Sequence, residues 1–223
     1  MFTSLCQQTG VNVFNIYSNR LVTIINSTLP FDKQVKANFA TQIYGVFGFF
    51  NSCISFKTNN LFNRKTILLV GQFTMGTTLL FFALSIKLQE GAISICLMLL
   101  FNFFMMTTIG AVHWIYISEI LTDVQFGFIS TCHYCNGIEV SLISEWMFNK
   151  LRPDGTFVYY GCITLVGFFL IQRYLKETKG LTDTEKKMLY WPEKYKQAKV
   201  VEMSPQIPFE LELSSDWEIK SDH

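Results

Sequence analysis

Long uncharged stretches alternate with short polar ones along this chain. Residues 66–86 carry no charge, and neither do residues 91–118, which lie between Glu90 and Glu119; residues 37–56 and 155–172 are two further clean runs. A helix needs about 20 mainly apolar residues to cross the hydrocarbon core of a bilayer. In lipid the backbone must satisfy its own hydrogen bonds, so such runs read as helices rather than isolated strands. Two more segments are apolar but carry polar groups. Residues 5–26 hold Gln7, Gln8, Asn12, Asn15, Asn19 and Arg20, and residues 126–148 hold Glu139 and Glu145. Both fit spans that turn a face toward a polar interior. The pattern predicts an all-α integral membrane protein, a bundle of six transmembrane helices over about 5–26, 37–56, 66–86, 91–118, 126–148 and 155–175.

The connections are short: 27–36 with Pro30 and Asp32, then 57–65, 87–90, 121–125 and 151–154. After Lys176 the character changes. Residues 183–223 are rich first in Lys and Glu, then in Ser, Pro and acids, and read as a largely disordered cytoplasmic tail. Basic residues near the ends of the spans set topology. Lys57, Arg64, Lys65, Arg173, Lys176, Lys179, Lys186 and Lys187 fall on the side of the carboxy terminus, against Lys33, Lys36, Lys87, Lys150 and Arg152 on the other. Both termini are therefore expected in the cytoplasm, in a multi-pass protein of the plasma membrane. The start, Met1-Phe2-Thr3-Ser4, lacks a basic leader and a cleavage site, so no signal peptide is expected.

Composition agrees with the segregation of charge. Half the residues are hydrophobic and 16% are charged, where a soluble domain carries about a quarter. A net charge of +1 offers no basic footprint for nucleic acid. Most of the six cysteines lie inside apolar stretches, where Cys behaves as a small hydrophobe. Cys132-His133-Tyr134-Cys135 has CxxC spacing but no second ligand pair follows, so neither a metal nor a cofactor is expected. No nucleophile–base pair or carboxylate cluster marks an enzyme.

The chemistry lies in the faces of the spans. At 100° per residue Gln8, Asn12, Asn15 and Asn19 share a stripe of the first helix. Amides offer donors and acceptors together, which suits a neutral polyhydroxylated ligand; interhelical hydrogen bonding fits the same stripe. In the second span Thr41, Gly45, Gly48, Ser52 and Ser55 form a small-residue face for close packing, with Asn51 off that stripe and within reach of a cavity. In the fourth, Asn102 and His113 share a face with Trp114 one step round. The histidine reads as a packing residue or a proton carrier. The tryptophan reads as an interfacial residue or a platform for a sugar ring. Glu119 closes that span, either as a boundary residue or as a latch to a basic residue of the loops.

Four landmarks then occur in a familiar order. Gln7-Gln8-Thr9-Gly10-Val11-Asn12 resembles the glutamine-rich motif opening the seventh helix of sugar transporters of the major facilitator superfamily. Asn63-Arg64-Lys65 resembles the basic turn between helices eight and nine; Gly110, Trp114 and Glu119 resemble helix ten; Glu177-Thr178-Lys179-Gly180 resembles the sequence after helix twelve. The resemblance implies the carboxy-terminal half of that fold, helices seven to twelve. It implies a hexose-like sugar as substrate, moved by alternating access at the bilayer midplane, with an amino-terminal half or a second copy as partner.

Carried over by residue, the resemblance makes Gln7, Gln8, Asn12, Asn51, Trp114 and Asn136 candidates for sugar binding. Matching Gly10 favours Gln7, while the helical stripe favours Gln8. The eleventh-helix asparagine of the family falls on Gly137, beside Asn136. Arg64, Lys65, Glu119 and Glu177 are the candidate latch. The sequence departs from the family pattern at Ala111 and His113 where prolines are usual, at Met106 where a Glu is, at Phe126 where a basic residue is, at Asn60 where an acid is, and at Lys176 where a Pro is. A non-transporting membrane protein (a sugar sensor, an assembly partner or a truncated remnant) is the alternative to transport.

Overall fold

The computed structural model describes residues 2–27 and 37–192. Met1–Lys187 forms one compact unit and Met188–His223 a second. In the second unit the Trp191 N–H donates to the Met188 carbonyl at 3.0 Å, closing a turn. Most of the 27–36 connection, and the tail beyond residue 192, lie outside the described residues.

All regular structure in the described residues is helical. The order is α1 (Phe2–Gln7), α2 (Val11–Asn26), α3 (Ala37–Leu61), α4 (Arg64–Lys87), α5 (Gly91–Phe104), a π turn (Met105–Ile109), α6 (Gly110–Ile120), α7 (Asp123–Lys150), α8 (Arg152–Tyr174) and α9 (Asp183–Lys187). Three stretches among the described residues, α4, α5 through α6, and α8, are long and apolar enough to cross a membrane. The 24 residues of α4 rise about 36 Å at 1.5 Å each. By length alone α3 and α7, with 25 and 28 residues, are comparable. Helix α9 occupies the start of the region that the sequence assigned to the tail.

The unbroken first helix expected over 5–26 is two helices. Gly10 adopts φ 74°, in the left-handed region, which a residue with a Cβ enters at a cost. A Cβ here would also lie 3.2 Å from the Tyr160 Cβ of α8. The Thr9 hydroxyl donates to the Cys6 carbonyl at 2.8 Å, and the ladder restarts with the Val13 N–H on the Gly10 carbonyl at 3.1 Å. A second irregularity divides the long helix after α4. In the π turn the Gly110 N–H bonds the Met105 carbonyl, an i→i+5 link that inserts one extra residue.

Helices in lipid gain little from the hydrophobic effect against one another, so close packing and interhelical hydrogen bonds hold them. Four buried rings fill the centre: Phe14 (α2) lies 5.2, 4.6 and 5.1 Å from Phe82 (α4), Phe101 (α5) and Phe157 (α8). α4 and α8 share the longest seam; a Cβ on Gly161 would meet the Leu80 side chain at 2.8 Å and the Gly76 carbonyl at 3.3 Å. Gln72 Nε2 donates to the Thr164 carbonyl at 3.2 Å across that seam. Ser85–Ser94 and Ser144–Tyr160 join α4 to α5 and α7 to α8 at 2.8 and 2.6 Å. The small-residue face of α3 packs on α5 and the π turn, with Gly48 against Asn102 and the Ser55 hydroxyl on the Thr107 carbonyl at 3.3 Å. A Cβ on Gly45 would meet nothing beyond its own helix within 4 Å, and the Thr41 side chain lies outside the described residues.

Candidate functional site

The break at Gly10 brings two amides together. Gln7 is the last residue of α1 and Asn12 the second of α2. Asn12 Nδ2 donates to Gln7 Oε1 at 2.5 Å. Both sit on Gly137 of α7, where a Cβ would lie 3.4 Å from Gln7 Nε2 and 3.5 Å from Asn12 Nδ2. With Tyr134, Ile138, Ser141 and Leu142 they line an open groove of ≈ 480 Å³. An amide carries two N–H donors and two acceptor lone pairs. One mutual bond leaves the pair with both kinds of capacity toward the groove.

The seam between α2 and α7 continues as polar. The Tyr17 hydroxyl donates to the Ser141 carbonyl at 3.2 Å. Arg20 pairs with Glu145 at 3.4 Å, donates to Asn149 Oδ1 at 3.4 Å, and lies 5.6 Å over the Phe148 ring. This side of the amides is therefore charged as well as hydroxylated.

On another side stands an aromatic cluster. Cys6 Sγ lies 3.1 Å from His113 Nδ1. The His113 and His133 rings are 5.2 Å apart, and the half-buried Trp114 is 4.8 Å from His133 and 6.3 Å from Tyr134. Among the described residues no group of three or more His, Cys, Asp or Glu side chains could hold a metal ion.

A separate network gathers where α4 begins. Asn63 makes no side-chain cap. The Glu177 carboxylate replaces it, accepting the N–H of Arg64 at 3.0 Å and of Lys65 at 2.9 Å, and also those of Thr178 and Lys179 at 3.1 and 2.9 Å. A carboxylate here faces the positive end of the helix dipole. Arg64 reaches Glu119 of α6 at 3.4 Å and donates to the Asn59 carbonyl at 2.6 Å. Glu119 also accepts the Thr178 hydroxyl at 2.6 Å and pairs with Lys186 of α9 at 3.7 Å. Lys179 donates to the carbonyls of Asn60 and Phe62 at 3.0 and 3.1 Å. Beyond the network, the Thr182 N–H and hydroxyl hold the Glu185 carboxyl below its usual range.

Residues 1–190 match the family model described as "Sugar (and other) transporter". The chain belongs to the sugar (and other) transporter family. No curated protein matches it significantly. Among solved structures, the fold is similar to the xylose transporter XylE from E. coli in an inward-open conformation, with TM-score 0.68 and 21% identity over 85% of this chain and 40% of that one. A double-tryptophan XylE mutant gives 0.75 and 20%, over 85% and 41%. The proton:xylose symporter XylE bound to 6-bromo-6-deoxy-D-glucose gives 0.71 and 21%, over 85% and 41%. The chain thus spans about two fifths of the length of these relatives. As a member of this family with its long apolar helices, it is a multi-pass membrane protein of the major facilitator superfamily.

Within this sugar-transporter-family chain, the structure brings some predicted residues together and separates others. Gln7 and Asn12 meet; Gln8 falls in the break, where helical periodicity no longer applies. Asn15 and Asn19, expected on the same stripe, are exposed on α2. Asn51 is buried in the α3–α5 contact, 3.5 Å from Asn102 Oδ1, and Asn102 Nδ2 in turn donates to the Tyr44 carbonyl at 3.1 Å. It is placed as interhelical glue and is not among the groove residues. Asn136 bonds the Cys132 carbonyl of its own helix at 2.7 Å, and its neighbour Gly137 faces the amides. Asn102 and His113 contact different helices, α3 and α1. The π turn between them adds a residue, which rotates α6 relative to α5 by roughly 100°. Trp114 reaches the groove only through Tyr134.

Arg64, Lys65, Glu119 and Glu177 form one network, Lys65 through its backbone alone. Reading the sequence missed Asn59, Thr178 and Lys186 in it, and Tyr17, Ser141 and Glu145 beside the groove. Thr178 and Lys179 stood inside the Glu177-Thr178-Lys179-Gly180 motif. Glu145 stood out as a charge inside an apolar span and Lys186 as one of the basic residues after the last span, and nothing in the pattern marked Asn59, Tyr17 or Ser141.

Proposed function

We propose that this chain forms one wall of a pathway for a hexose-like monosaccharide, with Gln7 and Asn12 as its main sugar contacts. The reading takes the chain as helices seven to twelve of a major facilitator fold, crossing the membrane six times with both termini in the cytoplasm of a plasma-membrane protein. Transport runs by alternating access against an opposing six-helix bundle, carried on the same polypeptide or on another chain. The observation that carries it is the amide pair held at a helix break beside an open groove. Amides meet sugar hydroxyls as donor and acceptor at once. Tyr134 supplies an aromatic face at the rim, with Trp114 behind it. Arg64, Glu119 and Glu177 then act as the latch that ties the helix ends on the cytoplasmic side.

The test is uptake of labelled D-glucose and D-xylose into proteoliposomes holding the chain alone, or with an amino-terminal six-helix bundle. Saturable uptake that Asn12→Ala reduces about tenfold is expected, the equivalent of one lost hydrogen bond of about 1.4 kcal/mol. Absence of both uptake and binding under every pairing removes the proposal.

The openness of the groove favours a second reading, a sugar-binding protein that does not transport. A single wall leaves the ligand solvated on its far side. Binding of the same sugars without flux in any pairing would select it.

A further inference from the structure

α4 runs from the Glu177 network at its start to a second concavity at its end. That cavity, of ≈ 190 Å³, lies between the end of α2, the α4–α5 turn and the start of α8. Among the described residues it shares no lining group with the groove. Asn12 and Ile24 are 12 residues apart on α2, about 18 Å at 1.5 Å each. Four described residues have φ in the left-handed region: Gly10, Gly180, Gln89 at 61° and Arg152 at 63°. Glycine enters that region freely and a residue with a Cβ does not. Both of the non-glycine cases line this one cavity. Gln89 closes α4, with its N–H on the Ile86 carbonyl at 3.1 Å and the Glu90 N–H on the Ser85 carbonyl at 3.0 Å, a helix ending at which glycine is usual. Arg152 makes the corner between α7 and α8. Backbone strain retained in this way marks side chains that are put to use. From this juxtaposition we propose that the cavity binds one small neutral polyol, a monosaccharide, through Gln89, Arg152 and Asp154, at a site separate from the groove.

The chemistry of the lining selects that class. Arg152 and Asp154 are its charged members, and they pair through Nε at 3.6 Å. The lining therefore carries no net charge, and the terminal nitrogens of Arg152 keep their N–H donors for a ligand. A bare anion would meet the Asp154 carboxylate and a bare cation the Arg152 guanidinium, whereas hydroxyls pair with both. Gln89 adds an amide that donates and accepts. Gln89 and Arg152 are exposed at the rim, while Ser85 and Ser94 are buried. The two serine hydroxyls lie 2.8 Å apart and reach the Phe82 and Glu90 carbonyls at 2.8 and 3.0 Å. Their protons are thus spent on the backbone and on each other, and their oxygens have lone pairs left for an O–H donor. Ile24, Ile86 and Pro153 supply apolar surface for the C–H face of a ring. The volume holds about six waters at roughly 30 Å³ each, the bulk of one hexose.

Saturation-transfer NMR with D-glucose reads weak binding to the full chain in lipid nanodiscs, and Asn12→Ala separates the cavity from the groove. In that background we expect a saturable D-glucose signal that Arg152→Gln and Asp154→Asn each weaken about tenfold, the equivalent of one hydrogen bond to a charged group. Gln89→Gly is the sharper variant. It should weaken binding and yet raise the midpoint of thermal unfolding by about 2 °C, because left-handed strain is relieved. A midpoint that falls makes Gln89 a structural residue and overturns the proposal. So does a signal that none of the three variants changes, the absence of any signal in the Asn12→Ala background, or displacement of D-glucose by an equal concentration of inorganic phosphate. Where Asp154→Asn does not fold, Gln89→Gly decides together with Arg152→Gln, whose side chain is 84% exposed. Displacement of D-glucose by a monoglucosyl lipid in the nanodisc supports the same site with a membrane-borne sugar as its source. A signal that survives Asn12→Ala and is lost in Arg152→Gln stands whether or not the groove binds sugar, so the two sites fail separately.

Discussion

The groove of α1, α2 and α7 and the network at the start of α4 are built from similar polar residues used in opposite ways. In the network a single carboxylate, Glu177, accepts four backbone N–H groups, and Arg64 and Glu119 are each 17% exposed. The capacity of that carboxylate is turned inward and consumed. In the groove Gln7 is 7% exposed and bonds one partner, and the ion pair beside it, Arg20–Glu145, is 45% and 53% exposed. The Glu177 carboxylate that holds the helix ends together is filled by backbone donors, whereas the amides at the groove are left with bonds to give. Buried polar atoms otherwise cost about 1–3 kcal/mol each when unpaired.

Breaking the scaffold beneath the groove gives the largest effect. Gly10→Val places a β-branched residue at φ 74° and against Tyr160. It should cost about 3 kcal/mol, from the left-handed strain and the overpacking together. Thermal unfolding in detergent checks it, and an unchanged midpoint would show that the break does not depend on glycine. Next comes Glu177→Ala, which strips the N-terminus of α4 of its acceptor; about 2 kcal/mol is expected for a charged cap with several donors. Glu177→Gln should recover about half, since an amide oxygen still accepts but carries no charge.

Within the groove, Asn12→Ala should lower stability by about 1 kcal/mol while removing most sugar binding. A loss of stability larger than that of Glu177→Ala would erase the contrast between the two regions. The exposed pair is expected to matter less: Arg20→Ala should change stability by at most about 0.5 kcal/mol. Double-mutant coupling with Glu145 measures what the pair itself adds.

The smallest effect is a pH dependence at Glu185. Its carboxyl is held low by Thr182, so its contribution is full above the ordinary carboxylate range and disappears as pH falls through the lowered value. Amide protection across α9, the exchange rate taken relative to its intrinsic rate at each pH, should therefore stay constant from pH 7 to about pH 5 and fall only in stronger acid. A fall already between pH 7 and 6 would rule this out.

What was legible in the sequence divides along the same line. Charge-free runs located most of the long helices, because a bilayer imposes one simple rule on many residues. The Arg64–Glu119–Glu177 network was legible from short motifs at helix ends. The amide stripe misled because a period of 3.6 residues holds only in an unbroken helix, and Gly10 ends one; the residue order around Gly10 pointed to Gln7 where the stripe pointed to Gln8. The π turn has no comparable signature in Met105-Met106-Thr107-Thr108-Ile109, so the separation of His113 from Asn102 was not readable. Asn51 and Asn136 were chosen as asparagines close to positions of the family pattern. The contact of Asn51 with Asn102 depends on a neighbour distant in sequence, whereas Asn136 bonds within its own helix.

The contact of Tyr160 with Gly10 has a bearing on how such a protein can change. The angle at which α1 meets α2 is set from α8, by a ring whose hydroxyl is itself tethered to Ser144. A mutation at 160 or 144 would re-aim the Gln7 amide without altering any group that lines the groove. The shape of the groove is then adjustable from the rear of the bundle.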